Sequence, residues 1–243
     1  FSGVNFIDIY QRQGIYPMPS PYVPGLEGSG VVAEVGSAVQ GFSIGDQVAW
    51  PSSLGSYSQV HVANAASVVK VPAGVALDVA CAAMLQGMTA HYLVASLYEI
   101  KPGDTALVHA AAGGVGLGIV QIALWKKCKI IAIAGSDEKL TFLKSLGVEY
   151  TINYKKDDIY EKIRDFGLHR KIDFVFDSVA GGKNIKYGFK ALISGGKYVI
   201  FGVSKLSGPK TIFGLLPELL SFATTLFSPA KFLMPSKSMI GIN

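Results

Sequence analysis

The sequence predicts an α/β fold in which a doubly wound parallel sheet follows a smaller β-rich domain. Three observations carry this. The apolar run Thr105-Ala106-Leu107-Val108 leads through a glycine-rich segment, residues 110–118, straight into a helical pattern. From there to residue 201 short apolar strands alternate with helical stretches, and strands separated by helices pair in parallel through right-handed crossovers. The first third instead shows short strands between Gly and Pro signals, the pattern of a small barrel. We place the β-rich domain at 1–85 and the parallel-sheet domain at 86–243.

In the first domain, Gly30 to Gly36 reads as an apolar strand ending at glycine. Ser43-Ile44-Gly45-Asp46 is a turn before a strand at 47–50, and 57–62 alternates as a half-buried strand would. A helical pattern begins at Leu77. In the second domain, the strand at 105–108 and the helix through 119–127 are followed by a strand at 130–134. Ser136 caps a helix that Gly147 closes. Next come a strand at 150–152, a polar helix from Asp157, a strand at 172–177, a helix near 184–192 and a strand at 197–201.

With 243 residues, half of them hydrophobic and 16% charged, the chain has ample length for a core and is neither disordered nor a nucleic-acid binder. Its net charge of +5 is spread out, without basic runs interleaved with aromatics. Cys81 and Cys128 are the only two cysteines, too few for a disulfide framework or a four-cysteine zinc site, so a reducing, cytoplasmic setting is expected. No basic, apolar leader opens the chain. Its ends fall in strand-like patterns without an initiator Met, which suggests a fragment of a longer chain.

Glycines at a strand-to-helix turn have physical uses: a tight turn, backbone approach to phosphates, and close packing of helix on strand. Free N–H groups and the positive helix end then favour an anion. Ala112, Gly113, Gly114, Val115 and Gly116 are therefore candidates for a dinucleotide pyrophosphate site. Ser178, and Phe201, Gly202 and Val203, fall at carboxyl ends of later strands, where such ligands also bind. Any strand-end turn would show the same residue types.

The chain resembles the zinc-free quinone oxidoreductases, the zeta-crystallin-like branch of the medium-chain dehydrogenase/reductase superfamily. The motifs that carry the resemblance are Gly3-Val4-Asn5-Phe6-Ile7-Asp8, Tyr10, Arg12, Gly14 and Tyr16-Pro17, then Pro24-Gly25-Leu26-Glu27-Gly28, Gly45-Asp46, Lys101-Pro102-Gly103-Asp104, the 110–116 turn and Asn153-Tyr154. The resemblance implies a GroES-like catalytic barrel, a Rossmann-type cofactor domain and a cleft for NADP(H), with outer barrel strands and the last strand of the cofactor sheet lying outside this chain. It also implies a homodimer.

Zinc-dependent relatives hold their metal with Cys, His and a further Cys or carboxylate. Here Asn5 and Leu26 stand at the first two of those places, and no metal is expected. Hydride or an electron would then pass directly from the nicotinamide. Asn5 could hold the nicotinamide ribose or a substrate oxygen. Tyr10 and Tyr16 match the family's cleft tyrosines and could donate a hydrogen bond to a quinone oxygen, or simply pack the barrel. Thr89 matches a position near the nicotinamide, though it could be a local cap. Ser136, Lys139 and Tyr154 match positions contacting a 2′-phosphate, and Asp137, one step into the helix, reads as complementing the helix dipole. NADPH is therefore favoured over NADH, with a quinone or an α,β-unsaturated carbonyl as substrate. The four histidines and both cysteines read as structural.

Residues 206–235 form an apolar insertion similar to that of the synaptic-vesicle membrane protein group of the same superfamily. Its longest charge-free run is twelve residues, 219–230, too short to span a bilayer. A lid or a subunit contact is favoured over membrane contact, and a nucleotide-binding membrane adaptor with little catalysis is the alternative reading.

Overall fold

The computed structural model describes residues 1–206 and 235–242, which form two compact units, Phe1–Thr89 and Ala90–Asn243. The insertion at 206–235 lies almost wholly outside the described residues.

The first unit opens with α1 (Phe6–Arg12), whose start is tied down because the Asp8 carboxylate accepts the Asn5 N–H at 2.8 Å. Its sheet is antiparallel: β1 (Gly28–Val31) pairs with β2 (Gln47–Trp50), and β2 with the short β3 (Val69–Lys70). Then follow α2 (Leu77–Ala82), wider helical turns at Ala83–Gly87 and α3 (Met88–His91). Two sequence expectations need correcting. The strand expected at 30–36 is shifted to Gly28–Val31, and 57–62 is not a strand. In that segment Val60 and Val62 are 80% and 93% exposed, so the alternating pattern has nothing to face.

In the second unit a further wide-turn run, Tyr92–Leu97, precedes β4 (Thr105–Val108), α4 (Gly114–Trp125) and β5 (Lys129–Ala134). The chain continues through α5 (Asp137–Ser145), β6 (Tyr150–Asn153), α6 (Ile159–Asp165), β7 (Ile172–Asp177), α7 (Gly182–Ala191), β8 (Leu192–Ile200) and β9 (Ser238–Gly241). Among the described residues the six strands of this unit pair in parallel in the order β6-β5-β4-β7-β8-β9. Both faces are covered. Ala106, Val108 and Phe174 face one core with Ile119 and Val120 of α4, while Leu107, Ile131 and Val175 face another with Ile163 and Ile185. Burial on both faces explains why the strands read as near-continuous apolar runs rather than alternating ones.

The sheet's sixth described strand, β9, is formed by the strand-like pattern near residue 240, and Ile240 faces the α4-side core while Met239 faces the other. The strand order reverses between β4 and β7, and the crevice at that reversal is where open sheets of this kind bind ligands.

Candidate functional site

The chain turns at the end of β4 with its backbone already committed. The His109 N–H donates to Phe176 O at 2.9 Å and Ala111 N–H to Ile133 O at 3.0 Å, which sews the turn to the ends of β7 and β5. Gly113 caps α4 with no side-chain cap bond, and the helix's first turn holds no acidic residue. Its leading N–H groups and positive pole are thus left for an anion. The glycine roles differ from the sequence expectation. The left-handed residue of the turn is Ala110 (φ 50), not a glycine. Gly116 is the position of close approach: a Cβ there would lie 2.3 Å from Ala110 O and 3.0 Å from Ala111 Cα. Ala112 and Val115 are partly buried against the core and anchor the turn from beneath.

At the tip of the second strand, Ser136 caps α5, its Oγ accepting the Lys139 N–H at 3.4 Å. The Tyr154 N–H donates to Ala134 O at 3.1 Å, and the phenol lies over Gly135, where a Cβ would come within 2.7 Å of the Tyr154 oxygen. Ser136 and Tyr154, candidates from distant parts of the sequence, therefore flank one glycine. Lys139 lies in the first turn of α5, and its ammonium has no partner among the described residues. Gly135→Ala is expected to push the phenol away and weaken 2′,5′-ADP binding about fivefold, at a cost of no more than about 1 kcal/mol in stability because Tyr154 is exposed and can move. Titration calorimetry checks this, and unchanged affinity would remove Tyr154 from the site. Asp137 stands in the first turn of α5, where it complements the helix dipole, and its carboxylate also reaches across to Asn153 and Lys156.

The carboxyl ends of β7 and β8 bring Ser178, Phe201, Gly202 and Val203 together. Phe201 N–H donates to Asp177 O and Ser204 N–H to Ser178 O, and a Cβ on Gly202 would lie 2.9 Å from Ser178 O. Sequence reasoning missed what organises this corner. Asp177, fully buried, accepts the Val179 and Ala180 N–H groups at 2.7 and 3.1 Å on one oxygen and the Tyr198 hydroxyl at 2.6 Å on the other. A charged residue ending an apolar strand was the available signal. Nearby, His109 is buried and its ring stacks on Tyr187. Burial holds its pKa below the ordinary histidine value, so it is neutral at pH 7, and its Nε2 has no partner among the described residues.

The remaining candidates lie in the first unit. Asn5 is buried and both ends of its amide are held: Nδ2 donates to Glu27 Oε1 at 2.7 Å and Oδ1 accepts from Gln86 Nε2 at 3.0 Å. Glu27 is fully buried, and its second oxygen accepts the Leu85 N–H at 2.7 Å. Gly3 must lack a side chain, because a Cβ there would fall on this carboxylate. Desolvation raises the Glu27 pKa, opposed by the bonds from Asn5 and Leu85. Asp8 accepts from Tyr57, whose own pKa is pushed up to about 12 by burial and by that carboxylate. Tyr10 is buried, with its ring 5.8 Å from that of the half-buried Tyr16. Thr89 uses its hydroxyl locally, donating to Leu85 O at 2.6 Å. Neither Glu27 nor Gln86 was a sequence candidate. Among the described residues no group of three His, Cys, Asp or Glu side chains is placed to hold a metal ion.

The family model for the alcohol dehydrogenase GroES-like domain matches residues 1–102, and that for zinc-binding dehydrogenases matches residues 114–242. A crystal structure of Escherichia coli quinone oxidoreductase complexed with NADPH superposes with a TM-score of 0.83 at 33% identity, covering 100% of this chain and 70% of that one. The chain belongs to the quinone oxidoreductase branch of the medium-chain dehydrogenase/reductase superfamily. Curated members of this branch agree. Quinone oxidoreductase 1 of Escherichia coli is 41% identical over 73% of this chain and 55% of its own length, and a probable quinone oxidoreductase of Schizosaccharomyces pombe is 38% identical over 83% and 61%. The chain thus spans between about half and two-thirds of the length of these quinone oxidoreductases.

Proposed function

We propose that this protein is an NADPH-dependent reductase of quinones or related α,β-unsaturated carbonyls that works without a metal ion. The observation that carries the cofactor assignment is the strand–turn–helix at the switch point. An uncapped α4 start faces outward there, and the backbone contact at Gly116 leaves no room for a side chain. The residues present fit a dinucleotide: Ala112, Gly114, Val115 and Gly116 offer backbone N–H groups to a pyrophosphate, Gly113, whose own N–H is bonded to Ala110 O, offers a surface without a side chain, and Ser136, Lys139 and Tyr154 offer hydroxyls and a cation to a 2′-phosphate. Ser178, Phe201, Gly202 and Val203 form the rim at the next two strands, and Thr89 belongs to the same cofactor reading.

When bound, the reduced nicotinamide supplies the hydride or electron. The protein's part is to orient the reactants and to offer donors where negative charge develops on a substrate oxygen. Asn5, anchored at both ends of its amide, is suited to fixing a ribose or substrate oxygen. The phenols of Tyr10 and Tyr16 supply O–H donors or a ring face. A homodimer pairing through an edge of the parallel sheet and a cytoplasmic setting complete the reading.

The test mixes the protein with NADPH and an ortho-quinone and follows the loss of nicotinamide absorbance. Turnover that persists after chelator treatment is the expected result. Absence of turnover across quinones and enones would sink the reductase reading, and loss of turnover on chelation would sink its metal independence.

A further inference from the structure

In dinucleotide sites an acidic side chain near the tip of the second strand takes the ribose hydroxyl and repels a 2′-phosphate. Here such a residue is present one step late, as Asp137, and the structure shows both its oxygens engaged. Oδ1 accepts Asn153 Nδ2 at 2.7 Å, and Oδ2 pairs with Lys156 Nζ. Asn153 cannot swing away from it. Its Oδ1 accepts the Lys155 N–H at 3.1 Å, its own N–H donates to Asp157 at 3.0 Å, and it is buried at the end of β6.

We propose that Asn153 and Lys156 clamp and neutralise Asp137, and that this clamp makes the strand tip accept a 2′-phosphate. Lys156 is then a specificity-determining residue that acts through Asp137 rather than by touching the phosphate. The clamp turns the carboxylate toward β6 and sets a cation beside it, so the Lys139 ammonium meets less opposing potential; both side chains of the pair are 65% exposed, and the effect is therefore screened by salt. The mutual pairing keeps both partners ionised, with Asp137 held below its usual range and Lys156 above, mainly through their shared bond. The inference rests on the phosphorylated-dinucleotide reading.

The experiment titrates the full chain calorimetrically with 2′,5′-ADP and with 5′-AMP, two probes that differ only in the 2′-phosphate. Lys156→Met is expected to reduce the preference for 2′,5′-ADP about five- to tenfold by releasing an unpaired carboxylate near the phosphate, more at low salt than at high. Adding Asp137→Asn to Lys156→Met should restore the preference, because the neutral amide needs no clamp. An unchanged preference in Lys156→Met would overturn the clamp. So would a double variant that stays weak, since Lys156 would then be reaching the phosphate itself. A wild-type protein with no preference between the probes would overturn the phosphorylated-cofactor reading and the clamp with it.

Discussion

Gly116→Ala is expected to weaken NADPH binding at least about tenfold and to destabilise the second unit by about 2 kcal/mol, or roughly 6 °C in Tm. The substitution runs against helix propensity, because alanine inside a helix is ordinarily better than glycine by about 0.5–1 kcal/mol. A surface helix position would therefore gain stability. Here the new methyl would meet Ala110 O at 2.3 Å, and that oxygen already accepts the Gly113 N–H at 2.8 Å. To relieve the contact, α4 must lift from the turn, which moves the very N–H groups offered to the pyrophosphate. Calorimetric titration with NADPH and thermal unfolding read the two effects separately. A variant that binds normally and melts at or above the wild-type temperature would show that the turn is not the cofactor cradle.

Glu27→Gln should cost about 2 kcal/mol in the first unit, roughly 10 °C in its melting transition, with a changed pH dependence. The two Glu27 oxygens accept from Asn5 Nδ2 and the Leu85 N–H, and the Gln86 backbone N–H also bonds to the carboxylate. An amide must turn its NH₂ toward one of them, leaving buried donors facing each other. The pH effect follows from linkage. Burial raises the Glu27 pKa above its unfolded value, so the folded state holds the proton more tightly. Stability from this group is therefore greatest below the unfolded pKa and declines as pH rises through the folded one. The glutamine variant lacks that decline, so the gap between the two proteins should be widest in acid and narrower at neutral pH. Melting curves between pH 4 and 8 check this, and parallel curves for the two proteins would exclude Glu27 as the titrating group.

Much of the second unit was legible in the sequence. The strand at 172–177, the helix capped by Ser136 and closed by Gly147, and the turn at the end of β4 all stand where the pattern put them. Strands buried on both faces must be apolar throughout, and helix caps need particular side chains, so these signals are local. The first unit was harder to read. Residues 57–62 carry a strand's alternation, yet alternation becomes a strand only where another strand supplies hydrogen bonds and a covered face. Among the described residues none does.

The site divides along the same line. The residues proposed for a phosphorylated dinucleotide, from Gly113 and Gly116 to Ser136, Lys139 and Tyr154, could be nominated from the sequence because each sits at a strand end marked by its neighbours. The buried carboxylates were not. Glu27 and Asp177 are charged residues in short apolar segments, and only the surrounding donors show that they are held inside rather than exposed. Asp137 is the clearest case: its position suggested a helix-dipole partner, while its carboxylate is also bonded to Asn153 and Lys156, sixteen and nineteen residues away.

By itself the sequence determined the alternation of strands and helices, the glycine turn, and the residue chemistry offered at each strand end, because these depend on neighbours along the chain. Only the tertiary structure decided which turn residue is left-handed, which glycine meets backbone, that β9 adds a sixth strand, and which carboxylates are paired. Those outcomes depend on what lies across space, and the energy of a buried or clamped charge is set by partners that the local sequence does not name.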